Sequence, residues 1–367
     1  MSAQTRNKGI ITGTTLLFIT CLLPGFSGGE DVDSLTNSFL QDRCRIDPHH
    51  PGTFQVLCSC KPNETLTLSE AETKKLASSV IGFHVSDCNR STVVVKTNAL
   101  NHFNYLELVT FHNIATLRLE PNSINLALFH VEDFALTFED ILGSGLSLEE
   151  NSVRLQRPVG SAANEKLVFS NAVIRGFPKF AINGPFTELQ LRKVLLTERA
   201  QSESINVGET ETEVIINTFE ALNGGLEAKW LLGNVNNLQI IRSSILMKQY
   251  AFAGITMTGS APEMEMSHNQ FGSLPTGVFD INATFAEVSV KAENNRINCA
   301  CEDLIWIREN LEGFLQNRLN FICDNITLTE ALRKCSPIDA SSSSDNTRLS
   351  HTAIITLFLA FTYSILL

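Results

Sequence analysis

Residues 264 to 271 read MEMSHNQF, with apolar residues at the first, third and eighth positions and an Asn at the sixth. Alternating apolar residues predict a short strand with one buried face, because successive side chains of a strand point to opposite sides. The Asn predicts that the chain then turns inward, where the side-chain amide can hydrogen-bond backbone groups of an adjacent coil. The stretch therefore predicts one coil of a stacked repeat.

The same pattern recurs through the part of the chain that has no cysteine. It fits stretches that begin at residues 93, 117, 146, 167, 189, 214, 238, 264 and 290. These starting positions lie 21 to 29 residues apart, close to the spacing of roughly 20 to 29 residues in leucine-rich repeats. The interval predicts a solenoid whose coils pair their strands into a parallel sheet.

The Asn of the sixth position is present in five of these copies. They are Asn98, Asn122, Asn151, Asn269 and Asn295. The other copies carry Ala172, Val194, Phe219 and Ser243 at that position. We expect the ladder of Asn hydrogen bonds to be interrupted in those coils and the middle of the solenoid to be irregular.

The first 29 residues have the three parts of an export signal. Basic Arg6 and Lys8 precede the apolar run IITGTTLLFITCLL, and the small residues Ser27 and Gly29 suit cleavage after them. A buried helix, the alternative, would need only the apolar run. An exported chain matures in an oxidising compartment, so we expect its cysteines to form disulfides.

Eight cysteines remain after the export signal, in two groups of four. The first group is Cys44, Cys58, Cys60 and Cys88, and the second is Cys299, Cys301, Cys323 and Cys335. The long separation between the groups predicts that each one closes its disulfides within itself. Zinc is the alternative, but the Cys-x-Cys spacing is tighter than the usual ligand spacing, so we expect no metal.

The carboxy-terminal cysteines lie in a characteristic sequence context. The stretch NQFGSLPTGVFD at 269–280 resembles the variable half of an extracellular leucine-rich repeat, and NRINCACEDLIWI at 295–307 resembles the cysteine-rich cap of that family. The loose repeats and the 23 phenylalanines are similar to those of divergent secreted arthropod members. The resemblance implies an α/β fold: a single curved solenoid with its parallel sheet on the concave face and a disulfide cap at each end.

The resemblance also sets expectations for the disulfides. The pairing usual in the family, first to third and second to fourth, would join Cys299 to Cys323 and Cys301 to Cys335. The stretch CRIDPHHPGTFQVLCSC at 44–60 resembles the amino-terminal cap, but its cysteine spacing departs from the family pattern. The pairing of the amino-terminal cysteines therefore stays open.

These features divide the chain into segments. They are 1–29 as the export signal, 30–92 as the amino-terminal cap, 93–297 as about nine irregular repeats, 298–337 as the carboxy-terminal cap, 338–352 as a linker and lipid-attachment region, and 353–367 as an apolar tail that is removed.

The apolar tail AIITLFLAFTYSILL follows a polar spacer and a run of serines. These three parts are typical of a glycosylphosphatidylinositol attachment signal, with Ser342, Ser343 or Ser344 as the attachment site. A membrane helix is the alternative, although the tail is shorter than the about twenty residues that a span needs. We expect the mature protein at the extracellular face of the plasma membrane, or secreted.

Glycosylation sequons and charge restrict the partners. The sequons, at Asn63, Asn89, Asn282 and Asn325, are compatible with passage through the secretory pathway. The formal net charge of −11 at pH 7 argues against nucleic acid or an anionic membrane surface as the main partner.

No pattern in the sequence assembles a catalytic constellation. GFSGG at 25–29 has the form of a nucleophile motif but lies at the cleavage site, and neither His49 nor His50 belongs to a Cys-His or His-Glu motif of metal-ligand spacing. A glycan-cleaving β-helix would carry clustered carboxylates on one strand face. The acidic strand residues Glu120, Glu149, Glu265 and Glu293 are instead interspersed with Lys96, Arg118, Arg192 and Lys291. We therefore expect no enzymatic activity and no cofactor.

The second and fourth positions of each copy are expected to point away from the core and line the concave sheet. Along the coils they are Arg118 and Glu120, Ser147 and Glu149, Val168 and Ser170, Gln190 and Arg192, Ile215 and Asn217, Gln239 and Ile241, and Glu265 and Ser267. An apolar centre between polar ends resembles a protein interface. The predicted contact residues are Val168, Gln190, Arg192, Ile215, Asn217, Gln239 and Ile241.

These patterns predict recognition of an extracellular protein ligand, by an adhesion protein or co-receptor that a lipid anchor holds to the membrane. A soluble non-catalytic subunit of a secreted complex and a glycan-cleaving β-helix are the alternatives. The apolar centre also has an alternative interpretation, as a strand face covered by a loop or a glycan.

Overall fold

Parallel strands stack along the chain to form a mostly-β solenoid. The computed structural model describes residues 43–50, 52–76, 79–158, 164–283, 288–301, 304, 307, 320–323 and 326–335. The predicted export signal, the serines proposed for lipid attachment, the apolar tail and the sequon at Asn325 lie outside these residues.

The strands follow one another in chain order. They are β1 (Cys44–His50), β2 (Thr53–Ser59), β3 (Thr65–Leu68), β4 (Val80–Ser86), β5 (Cys88–Val95), β6 (Leu108–Leu119), β7 (Ile124–Ala127), β8 (Asp133–Leu148), β9 (Val153–Gln156), β10 (Asn164–Ile174), β11 (Ile182–Asn183), β12 (Glu188–Leu196), β13 (Ile205–Asn206), β14 (Thr212–Leu226), β15 (Leu231–Ile241), β16 (Ser244–Met247), β17 (Ile255–Met257), β18 (Glu263–Ser267), β19 (Gln270–Phe271), β20 (Ser289–Glu293), β21 (Asn295–Ile297), β22 (Phe321–Cys323) and β23 (Ile326–Thr327).

Helix is limited to short segments of the described residues. They are α1 (Glu70–Thr73), α2 (Leu328–Lys334) and the helical residues Cys301, Leu304 and Ile307. The structure thus confirms the predicted solenoid of stacked parallel strands, and its described part is mostly β.

One parallel sheet, which we call the main sheet, contains strands from successive coils. It is formed by β2, β4, β6, β8, β10, β12, β14, β15, β18 and β20. β1 pairs with β2 in antiparallel fashion at the amino-terminal end. Because side chains alternate along each strand, one face of the main sheet is buried and the other faces outward.

A second sheet continues from the main sheet around the coil. It contains β3, β5, the carboxy-terminal parts of β6, β8, β10, β12 and β14, and then β16, β19, β21 and β22. A third, shorter sheet contains β7, β9, β11, β13 and the start of β15. Each complete coil therefore carries up to three strands.

The repeat register differs from the sequence prediction. Leu117 pairs with Val93 and with Leu146 on the second sheet, whereas Leu167 pairs with Leu136 on the main sheet. The prediction that all copies occupy one sheet is therefore wrong between the copies at 146 and 167. Both sheets alternate apolar residues and are followed by a turn, so the pattern alone cannot separate them.

The bend between the main and second sheets is left-handed in successive coils, and we call it the corner. Its residues are Asp87, Asn113, Asp140, Asn171, Lys193, Thr218, Arg242, His268 and Asn294, with φ between 48° and 57°. Asn and Asp adopt this conformation more readily than other residues with a side chain. In the amino-terminal coils the local sequence favours the corner conformation, because the corner residue is Asp or Asn. In most later coils a Lys, Thr, Arg or His adopts the same conformation.

The inward Asn ladder is confirmed only in the last coils. Asn269 Nδ2 donates to the Ile240 carbonyl at 2.6 Å, and Asn295 Nδ2 donates to the Met266 carbonyl at 2.8 Å. The Ser243 N–H donates to Asn269 Oδ1 at 2.9 Å. Ser243 therefore extends the ladder, contrary to the prediction that it interrupts it.

The other three predicted ladder residues do not point inward. Asn98, Asn122 and Asn151 are half-buried, with φ between 54° and 59°, at a second left-handed bend of the coil. The buried groups there are the neighbouring hydroxyls, since Ser123 Oγ donates to the Ser152 carbonyl at 3.1 Å. The prediction for these Asn residues is wrong because Asn also favours left-handed turns.

The core is a continuous apolar column inside the coils. Phe138 stacks between Phe111 and Phe169, with ring centroids 5.5 and 4.9 Å away. Trp230 is the largest fully buried side chain among the described residues. Such stacked rings bury large apolar areas and hold adjacent coils in register.

Disulfides lie near both ends of the solenoid. The carboxy-terminal pairs are Cys299–Cys323 and Cys301–Cys335, the same pairs that the resemblance implied. The amino-terminal pairs, left open by the sequence, are Cys44–Cys58 and Cys60–Cys88. The first of these links the strands of the antiparallel hairpin β1–β2.

Candidate functional site

The seven predicted contact residues lie side by side on the outward face of the main sheet. One row runs Val168, Gln190, Ile215, Gln239 on adjacent strands, and the next runs Arg192, Asn217, Ile241. We call these seven residues the binding face. All are half-buried except Arg192, which is exposed.

The apolar members of the binding face are close to one another without being direct partners. Gln190 separates Val168 from Ile215 in their row, and Ile241 is diagonal to Ile215 on the adjacent strand. Neighbouring strands are about 4.8 Å apart, so Val168 and Ile215 are roughly 10 Å apart across the sheet. The face therefore offers small apolar patches framed by amides.

Polar side chains beside this centre bind one another. Lys166 Nζ lies 2.9 Å from Glu188 Oε2, and Gln190 also donates to Glu188. Asn237 Nδ2 donates to Glu213 Oε1 at 2.9 Å. These contacts restrict the rotamers of the polar rim, which reduces the entropy lost when a partner binds.

The binding face does not extend to the earlier copies as the sequence suggested. Arg118 and Ser147 lie on the second sheet, and Glu120 and Glu149 directly follow its strands. There Arg118 bonds Glu149 at 2.6 Å, and Lys96 bonds Glu120 at 2.6 Å. Their assignment to the same face is wrong because of the shift in repeat register.

The structure places other residues next to the binding face instead. Thr137 pairs with Val168, and Thr110 pairs with Thr137, so the row continues toward the amino terminus as hydroxyls. It then reaches His84, whose Nε2 is buried without a hydrogen-bond partner in the described structure. Burial lowers the pKa of His84 below its ordinary value. The strands that contain residues 83, 109 and 136 have no apolar residue at the eighth position, so they do not fit the repeat pattern.

A depression of about 670 Å³ opens at the carboxy-terminal side of the binding face. It is lined by two residues of the binding face and by residues of the corner and of strands β18 and β20. They are Asn217, Ile241, Arg242, Glu265, Ser267, His268, Lys291, Ala292 and Glu293. The sequence did not predict Arg242 and His268 as site residues, because they lie at the corner, one residue after the fourth position of the repeat pattern. A basic residue or His in place of Asn at a left-handed turn is the signal that could have found them.

The described residues hold one deeply buried ion pair, outside the binding face. Arg157 pairs with Glu165, whose side chain is 2% exposed, and Arg157 also donates to the Glu132 carbonyl at 3.3 Å. Burial raises the pKa of Glu165 despite the charge of Arg157. The pair lies where the coil from Leu136 to Leu167 is longer than its neighbours. The pair thus joins β10 to the residues that directly follow β9.

The remaining predicted sites are placed as follows. Asn63, Asn89 and Asn282 are exposed, as glycan attachment requires. Among the described residues, no group of three or more His, Cys, Asp or Glu is arranged to hold a metal ion. None of the helices in that part of the chain has the length and apolar character needed to span a bilayer.

No protein-family model and no curated protein matches this chain. The class of protein that the geometry defines is therefore a disulfide-closed β-solenoid with an outward sheet face of mixed apolar and polar character.

Proposed function

We propose that this protein recognises an extracellular protein through the binding face. The observation that carries the proposal is the contiguity of its seven residues on one sheet, with Val168, Ile215 and Ile241 between polar neighbours. Protein interfaces combine an apolar centre with a polar rim, and a few central residues supply most of the affinity. A rigid sheet presents such residues with little rearrangement on binding.

We also propose that the chain is a divergent extracellular leucine-rich repeat protein. The support is in the last coils, where Asn269 and Asn295 form the inward ladder and Leu274 and Val278 of the variable half are buried. The carboxy-terminal disulfide pairs agree with the cap of that family. The amino-terminal coils place Ile114 and Ile141 at the ladder position, which is why we regard the repeat as divergent.

The proposed location is the outer cell surface, with a lipid anchor at Ser342, Ser343 or Ser344. Disulfides are compatible with export into an oxidising compartment. Treatment of intact cells with a phosphatidylinositol-specific lipase should release the protein. Recovery of peptides from 353–367 in the membrane-bound protein would instead identify a membrane helix.

The test of the function is a binding screen of the exported protein against a collection of extracellular proteins. We expect saturable binding to at least one of them. Since a non-catalytic subunit of a secreted complex would co-purify from the culture medium, isolation of the untethered protein with a stoichiometric soluble partner would favour that alternative. Hydrolysis of a glycan panel by the purified protein would contradict the proposal.

A further inference from the structure

A groove runs around the corner beside the binding face, across the last three coils. It joins two depressions of about 560 and 500 Å³, which share Gln270, Arg296 and Ile322. Arg242, His268 and Asn294 line the first depression on successive coils. We call these six residues the corner groove. No carboxylate is among the residues that line either depression.

The two arginines of the groove are exposed and have no ion pair within the described part of the chain. Basic residues elsewhere on the solenoid, such as Lys166 and Arg199, bond carboxylates of the adjacent coil at 2.9 Å. The whole chain has a formal charge of −11. The corner groove therefore presents two guanidinium groups without ion pairs, while Glu265 and Glu293 line the adjoining depression that shares Arg242 and His268.

The backbone holds two of the groove residues in a conformation that is costly for their residue types. Arg242 and His268 have φ of 50° and 57°; Lys193 and Thr218 occupy the same place in two earlier coils, and the other corner residues are Asp or Asn. A residue other than Gly, Asn or Asp pays about 1–2 kcal/mol for this conformation. Strained residues of this kind cluster at binding sites. Ladder hydrogen bonds hold them in place, since the Arg242 N–H donates to the Ser267 carbonyl at 2.9 Å and the His268 N–H to the Glu293 carbonyl at 2.8 Å.

We propose that the corner groove binds a saccharide chain bearing sulfate or carboxylate groups. Arginine presents several donors in a planar fork that matches oxyanions. The amides of Gln270 and Asn294 can donate to and accept from sugar hydroxyls between the anionic groups. An acidic peptide is the competing occupant, but protein interfaces are anchored by aromatic and apolar side chains. The groove offers only half-buried Ile322 and the edges of buried Phe271 and Ile297.

The proposal is tested with heparin, a sulfated and carboxylated glycan, as the probe. Binding to the exported protein is measured at about 0.15 M salt, where exposed charges more than a Debye length apart are largely screened. The double variant Arg242→Ala, Arg296→Ala should weaken binding about tenfold or more, since it removes two charge-assisted contacts. The matched control Arg90→Ala, Arg154→Ala removes two exposed cations elsewhere and should change the dissociation constant less than about twofold.

Three results would overturn the proposal. The first is no heparin binding by the wild-type protein at this salt concentration. The second is an equal loss in the control variant, which would show attraction by charge alone. The third is binding of poly-glutamate as tight as that of heparin and equally sensitive to the double variant, which would make an acidic peptide the occupant. Ile215→Ser alters the binding face without changing charge and should leave heparin binding intact, so failure here is separate from failure of the protein-recognition proposal.

Discussion

Corner residues share one backbone conformation but differ in how readily they adopt it. Asn113 and Thr218 have φ of 54° and 56° at equivalent places in their coils. A β-branched side chain is disfavoured there because its branches crowd the backbone. The hydrogen bond from Thr218 Oγ1 to Asn217 Oδ1, at 2.9 Å, lies at the exposed surface and compensates little.

Thr218→Asn should therefore stabilise the protein by about 1 kcal/mol, because the new residue adopts the left-handed conformation at lower cost. Urea unfolding of the wild type and the variant checks the prediction. Asn113→Thr is the reciprocal control and should destabilise by about the same amount. Equal unfolding midpoints for all three proteins would show that the corner conformation costs nothing.

Asn269 satisfies buried backbone groups on both of its sides. Asn269→Ala leaves the Ile240 carbonyl and the Ser243 N–H without these partners, so we expect a loss of about 2–4 kcal/mol in the free energy of unfolding. Asn122→Ala, at a half-buried turn, should lose only about 1 kcal/mol. Equal losses measured by denaturant unfolding would contradict the assignment of Asn269 to an inward ladder.

His102 makes the stability depend on pH. Its Nε2 is 2.8 Å from the Thr73 carbonyl, and burial lowers its pKa below the ordinary value of 6.5. The unfolded chain then binds a proton at a higher pH than the folded chain, so stability falls as the pH drops below about 6.5.

His102→Gln keeps a donor near the Thr73 carbonyl and removes the titration. The drop in urea midpoint between pH 7.5 and pH 5.5 should be smaller in this variant than in the wild type. His84, whose pKa burial also lowers, and Glu165, whose pKa burial raises, contribute equally to both proteins. An identical drop in the two proteins would exclude His102 as a contributor.

At the scale of elements, the disulfides lie near both ends of the described solenoid. Cys299 and Cys323 are 24 residues apart in the sequence. Chain-entropy estimates give about 3–4 kcal/mol for a loop of this length. Replacing both cysteines with Ala should therefore reduce secreted yield and lower the unfolding temperature. A double variant secreted and unfolding like the wild type would show that the end is stable without this bridge.

Strand existence could be predicted from alternation, but strand partners could not. The copies from 167 to 290 were assigned to one sheet correctly, because consecutive coils there have similar length. The earlier copies belong to the second sheet, because there the pattern matches the strand that follows the corner, whereas from residue 167 it matches the strand that precedes the corner. Pairing across coils depends on where the chain bends, and Asn is compatible with both an inward ladder and an outward turn.

For the molecule as a whole, the wrong sheet assignment of the copies before residue 167 had little effect on the predicted site. All seven residues of the binding face come from copies within the correct register, so the structure brings them together. The corner groove was not predicted, because it is formed between coils at residues that follow the strands. The charge of the corner groove depends on which basic side chains form ion pairs with carboxylates in the folded chain. These pairs cannot be read from a single sequence.

The central claim is that the binding face recognises a protein partner, and the affinity of Ile215→Arg for a partner from the screen tests it most directly. An unpaired charge at the centre of an interface should weaken binding by about 30-fold or more. Ser147→Arg places the same charge on an outward residue of the second sheet and should change the affinity less than about threefold. If both variants are secreted normally and Ile215→Arg binds with wild-type affinity, the binding face is not the recognition surface.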